Sequence, residues 1–170
     1  MDAAVKRMTE GLAKAIQAEV DGHHFYMMAA RSTSDPKGRE IFETLAKEEL
    51  DHQLFLKAQY KALMETGKPD THARLGSPTD LSGMSPIFSE QIQGRVHEAH
   101  YEMSALSIGI QLELTAMQFY KAEAQAVSDP TVQSFYAELA DWEAGHYHAL
   151  LRQQEALKQD YWSTSGFSPF

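Results

Sequence analysis

Shifting this chain by 94 residues lays residues 16–57 onto 110–151 without a gap, and 14 of the 42 pairs are identical. Random pairing at this composition gives about two or three identities, so the chain contains an internal duplication. Two copies are too few for a solenoid, which stacks many units, so a single domain with pseudo-twofold symmetry is expected. The identities include Ile16/Ile110, Gln17/Gln111, Glu19/Glu113, Phe25/Phe119, Tyr26/Tyr120, Leu45/Leu139, Ala46/Ala140, Glu49/Glu143, His52/His146 and Leu56/Leu150. Ser34-Asp35-Pro36 recurs as Ser128-Asp129-Pro130.

Each copy reads as two helices around that tripeptide. Residues 3–31 keep helical spacing at Leu12, Ile16, Glu19, Tyr26 and Ala30, with no proline among them. Asp35 suits an N-cap, and Pro36 suits a first helical turn, where its missing N–H is not needed. The second helix carries Phe42, Leu45, Glu49, His52 and Leu56 inward and ends near Thr66, before Gly67 and Pro69. The third spans about 102–127, with Leu106, Ile110, Glu113, Met117, Tyr120 and Ala124 inward. The fourth runs from Pro130 to about Gln159, with Tyr136, Leu139, Glu143, His146 and Leu150 inward.

Residues 67–101 are interrupted by Gly67, Pro69, Gly76, Pro78, Gly83 and Pro86, so no long helix is expected there; Ile87 to Tyr101 has room for a short helical piece. So long a connection inside a compact domain has a purpose if it returns the chain along the bundle, letting the second hairpin pack on the first. The expectation is an all-α four-helix bundle over residues 1–159 with a long crossover between helices 2 and 3. Residues 160–170 are read as an aromatic and polar tail that drapes over the bundle or a partner subunit.

The repeated polar residues fall at one depth. Glu19 lies 16 residues before Asp35, while Glu49 and His52 lie 14 and 17 after it, and the second copy repeats these intervals. At about 1.5 Å per residue, all lie roughly 21–26 Å from their turn. Glu49 with His52, and Glu143 with His146, form Glu-x-x-His pairs, which present both side chains on one helix face. Packing the hairpins together thus gathers Glu19, Glu49, Glu113, Glu143, His52 and His146 in one core. Four buried carboxylates need neutralising charge, and two divalent cations supply it. A dinuclear metal centre is predicted.

Composition removes competing chemistries. With no cysteine there is no disulfide, thiolate metal site or iron–sulfur cluster. The net charge of −9, with no dense basic run, makes nucleic acid and anionic membranes poor partners. The amino terminus lacks a signal-like apolar run, so a soluble cytoplasmic protein is expected.

A glutamate from each of two helices plus Glu-x-x-His from the other two is the di-metal carboxylate pattern of four-helix bundles. With Ile16-Gln17-Ala18-Glu19, Phe25-Tyr26, Ile110-Gln111-Leu112-Glu113 and Phe119-Tyr120 beside the two Glu-x-x-His pairs, residues 5–155 resemble the rubrerythrin branch of the ferritin-like superfamily, in its erythrin type. The resemblance implies that Glu49 and Glu143 bridge two metals, that Glu19 and Glu113 are terminal carboxylates, and that His52 and His146 are terminal nitrogen ligands. It implies that Tyr26 and Tyr120 donate hydrogen bonds to the carboxylates. Two iron ions are the implied cofactor; manganese or a mixed pair also suits the ligands, and zinc competes in vitro.

The implied activity is reduction of hydrogen peroxide, or of dioxygen, with electrons from an external donor protein. A homodimer is the expected assembly. The alternatives are ferritin-like ferroxidase and iron handling, or a non-enzymatic metal-binding bundle. The chain departs from rubrerythrins in two respects. It has no Cys-ligated rubredoxin module, and their extra carboxylate one turn after the third-helix glutamate is Ala116 here, with Gly22 as its repeat partner. Small residues at both places leave room for an oxidant. Among the other polar residues, His23 is placed near the inner face and His24, His148 and the His97–His100 pair in solvent. Glu123 is placed at the side of the bundle.

Overall fold

The computed structural model describes residues 2–79, 81, 88 and 99–165. Four helices account for most of them: α1 (Ala3–Ser32), α2 (Pro36–Thr66), α3 (His100–Ala126) and α4 (Pro130–Ser165). The two duplicated units are the antiparallel hairpins α1/α2 and α3/α4, and α1 packs on α3 across the pseudo-twofold axis.

The punctuation read from Ser-Asp-Pro is what forms the turns. Asp35 accepts the Gly38 backbone N–H at 2.7 Å, with Pro36 in the first turn of α2. Asp129 accepts the N–H groups of Thr131 and Val132 at 2.9 and 3.1 Å. At the far end of α2, Gly67 takes the left-handed conformation (φ 71°) and returns its N–H to the Leu63 carbonyl, the αL ending that a glycine accepts without strain. Asp35→Ala is expected to lower stability by about 1 kcal/mol, seen as a lower urea midpoint with an unchanged slope.

The interior has an apolar–polar–apolar layering along the bundle axis. At the α1–α2 turn, Tyr26, Ile41, Phe42, Leu45, Leu106, Leu150 and Leu157 form one buried cluster. At the opposite end, Leu12, Leu56, Leu63, Tyr120, Val132, Tyr136 and Leu139 form another. Each fully buried Leu, Ile or Phe contributes about 1.5–3 kcal/mol. That is the favourable term against which the polar layer between the clusters is maintained.

The crossover runs along α2 from the second cluster to the first. Asp70 is clamped by the Gln59 side chain through two 2.9 Å bonds, and Leu75 joins the second cluster. The Thr79 N–H binds Glu48 at mid-height, and Leu81 and Phe88 belong to the first cluster. The intervening residues, which include most of the anticipated helical piece and His97 of the His-x-x-His pair, lie outside those described. His100 is exposed at the start of α3.

Two boundaries differ from the sequence reading. Helix α3 begins at His100, two residues early, and α4 continues to Ser165 instead of ending near Gln159. Residues 160–165 contain no Gly or Pro, and extending an existing helix costs far less than starting one. Their composition suggested a tail, but they continue the helix. No helix among the described residues is long and apolar enough to cross a membrane.

Candidate metal centre

All six predicted side chains meet at mid-height. They form two overlapping groups, Glu19 with Glu49, His52 and Glu143, and Glu49 with Glu113, Glu143 and His146. Within each group, one potential ligand atom per residue lies within 4.8 Å of the others. Glu49 and Glu143 belong to both. All six are buried, none more than 5 % exposed.

Both imidazoles turn Nδ1 into the cluster. His52 Nδ1 lies 3.2 Å from Glu143 Oε1 and 3.4 Å from Glu19 Oε2. His146 Nδ1 lies 3.3 Å from Glu143 Oε2 and 3.7 Å from Glu113 Oε2. The two rings face each other at 6.3 Å, tilted by 19°. Among the described residues, Glu19 Oε2, both Glu143 oxygens and both Nδ1 atoms are buried without hydrogen-bond partners. So many convergent orphan acceptors are rare in a folded interior, where burial without a partner is costly. A cation between them satisfies every one, so the residues present fit a di-metal centre.

The electrostatics agree. Burial, reinforced by Glu143 and Glu19, pushes Glu49 well above the carboxylate range. Burial and Glu143 push Glu113 up to about 8. For His52 burial acts downward, but Glu143 and Glu19 outweigh it and raise the imidazole to about 10. His146 is likewise raised well above its usual value: burial opposes this, and Glu113, Glu143 and Glu48 overcome it. Burial would also raise Glu143, yet the two histidines hold it low.

Without a cation, then, protons balance the charge. Cation binding must expel those held at neutral pH by Glu49, Glu113 and the histidines. Metal affinity is therefore expected to rise with pH through about 8, where Glu113 loses its proton, and on to about 10, where His52 does, with protons released on binding. Calorimetry in buffers of different ionisation enthalpy measures the release directly.

Two buried tyrosines orient the outer carboxylates. Tyr26 donates to Glu113 Oε1, and Tyr120 donates to Glu19 Oε1. The pairing is crossed, each phenol serving the glutamate of the other repeat. Tyrosines on helices lean toward the N-terminus, so on antiparallel α1 and α3 they reach the centre from opposite ends. Burial, together with the carboxylate each one faces, raises both phenols and keeps them protonated as donors.

The remaining polar residues resolve simply. His23 Nδ1–H donates to the Ala46 carbonyl at 2.7 Å, and His24 and His148 are exposed. Glu123, placed at the side of the bundle by sequence, lies outside the metal cluster but is buried, accepting from Nη1 and Nη2 of Arg7 at 2.8 Å each. Glu48 was not anticipated at all. Its Oε2 accepts from His146 Nε2 at 2.6 Å and its Oε1 from the Thr79 N–H at 2.8 Å. Burial raises Glu48, but these two bonds outweigh it and hold the group ionised.

A cavity of about 350 Å³ opens beside Glu19, Glu49 and Glu113, walled by Ala18, Gly22, Tyr26, Leu112, Ala116 and Phe119. Gly22 keeps that wall clear of Glu49: a Cβ would lie 3.2 Å from the Glu49 carboxyl carbon, and the carboxylate would have to shift by a few tenths of an ångström. The small residues at Gly22 and Ala116 thus do leave space next to the cluster.

Fold and site define a ferritin-like four-helix bundle with a buried carboxylate–histidine cluster able to hold metal. Within that class the chain belongs to the rubrerythrin family, whose family model matches residues 10–154. No curated protein and no solved structure gives a significant match.

Proposed function

We propose that this protein binds two iron ions and reduces hydrogen peroxide with electrons from an external donor protein. The observation that carries this reading is the pair of overlapping ligand groups, sharing Glu49 and Glu143, beside a cavity. Glu19 and His52 would complete one position, and Glu113 and His146 the other. When bound, two ferrous ions supply the two electrons needed to cleave the peroxide O–O bond.

The protein's own contribution is placement. Four carboxylates favour the more highly charged metal state, because negative ligands stabilise added positive charge in a poorly screened interior. Tyr26 and Tyr120 fix two of those carboxylates by hydrogen bonds. The apolar clusters above and below keep bulk water from the centre, while Gly22 and Ala116 leave an approach for a molecule of peroxide size. These 170 residues contain no cysteine and hence no thiolate-ligated electron carrier, which supports a donor outside this bundle. A homodimer is the proposed assembly.

Single-turnover mixing tests the reading. The ferrous protein, mixed anaerobically with peroxide, is expected to develop a diferric absorption band faster than it does with dioxygen, and much faster than free ferrous ions oxidise. Oxidation no faster than in free solution would exclude peroxide reduction.

A further inference from the structure

The duplication is broken where it matters most for the two histidines. At the 94-residue offset, Glu48 corresponds to Trp142, each immediately before its Glu-x-x-His pair. Each side chain crosses to the other hairpin and meets the other hairpin's histidine. Glu48 takes the His146 Nε2–H at 2.6 Å and is itself fixed by Thr79 of the crossover. Trp142 packs edge-on against the His52 ring, with centroids 4.6 Å apart and planes at 70°. Indole offers no acceptor, and His52 Nε2 is buried with no hydrogen-bond partner among the described residues.

We infer that the two metal positions are chemically unequal: the one built on His146 binds tightly, the one built on His52 is labile, and Glu48 is the positioning residue that sets the difference. The inference rests on the di-metal reading above. A carboxylate behind an imidazole fixes its tautomer and orientation and makes the opposite nitrogen a stronger donor. His146 has this support and His52 does not. Glu49 and Glu143 are common to both groups and so cannot distinguish them. Glu19 and Glu113 each accept one tyrosine hydroxyl, so that bond does not favour either position. The residues behind the histidines do differ in kind, a carboxylate in one case and an indole in the other. The His52 position is the one at which an ion exchanges, or at which a second kind of metal enters.

Shared carboxylates alone make a second ion bind more weakly than the first, so two-step binding is not diagnostic; which histidine governs the first step is. The experiment titrates the apo protein anaerobically with Co(II), following its visible absorption, in wild type, His52→Ala, His146→Ala and Glu48→Gln. His52→Ala should leave the first step unchanged, while His146→Ala and Glu48→Gln each weaken it about tenfold to a hundredfold. Glu48→Gln should also shift the Co(II) spectrum of the first equivalent, a change that altered stability alone does not produce.

Equal weakening by the two histidine variants overturns the inequality. An unchanged first step in folded Glu48→Gln removes Glu48 as its cause. If Glu48→Gln loses its helical circular dichroism, the contrast between the histidine variants still decides whether the positions differ. Wild-type protein that binds no Co(II) overturns the di-metal reading and this inference with it; wild-type protein that binds two ions with interchangeable histidines overturns the inference alone.

Discussion

Glu49→Gln is expected to abolish the metal-dependent rise in melting temperature while leaving the chelator-treated protein at least as stable as wild type. The two effects have different origins. Glu49 is buried and pushed well above the ordinary carboxylate range by burial and by Glu143 and Glu19. Without a cation it is poorly suited to carry charge, and a neutral group of the same size costs little there. With metal present, the substitution removes a ligand common to both groups, so both positions suffer. At free metal a hundredfold above Kd, each bound ion adds about 2.7 kcal/mol to stability. Two ions therefore add about 5 kcal/mol, a shift of roughly 10–20 °C for a chain of this size. Thermal melts with and without chelator, for both proteins, measure it. A variant that keeps the full metal-dependent shift shows that Glu49 is not shared between two ions.

The six clustered residues were legible because duplication and helix rise are one-dimensional properties. A fixed offset pairs Glu19 with Glu113, and counting residues from Asp35 and Asp129 gives depth. Glu48 and Trp142 escaped because their partners lie across the bundle on the other hairpin. Helical spacing places neighbours on one helix, but it does not say which side chain of α2 meets which of α4. One signal was available: the offset that matches Glu49 to Glu143 sets an acidic residue against an aromatic one immediately before each. The crossed tyrosines show the same limit. Tyr26 is on the face of Glu19, yet its hydroxyl reaches Glu113, because antiparallel α1 and α3 bring it over the other glutamate. The burial of Glu123 was not legible because its partner, Arg7, is 116 residues away in sequence.

Filling the cavity should separate access from metal binding. Ala116→Leu is expected to leave two ions bound while slowing oxidation by peroxide, and Gly22→Ala is expected to weaken metal binding itself. Both residues wall the cavity of about 350 Å³, and they are repeat partners, but their surroundings differ. A methyl group on Gly22 would stand 3.2–3.4 Å from three atoms of Glu49 and so press directly on a shared carboxylate. Ala116 already carries a methyl, and its enlargement projects into the cavity. For peroxide to pass, a leucine there must move against packed neighbours, at a cost comparable to overpacking, about 1–3 kcal/mol. Each 1.4 kcal/mol on a barrier is about tenfold in rate, so the slowing is roughly five- to 150-fold. Metal content by elemental analysis and stopped-flow oxidation together read the two effects. If Ala116→Leu reacts at the wild-type rate with both ions in place, peroxide reaches the centre by another route. Gly22 then serves to leave room for Glu49, whose carboxyl group a Cβ there would crowd.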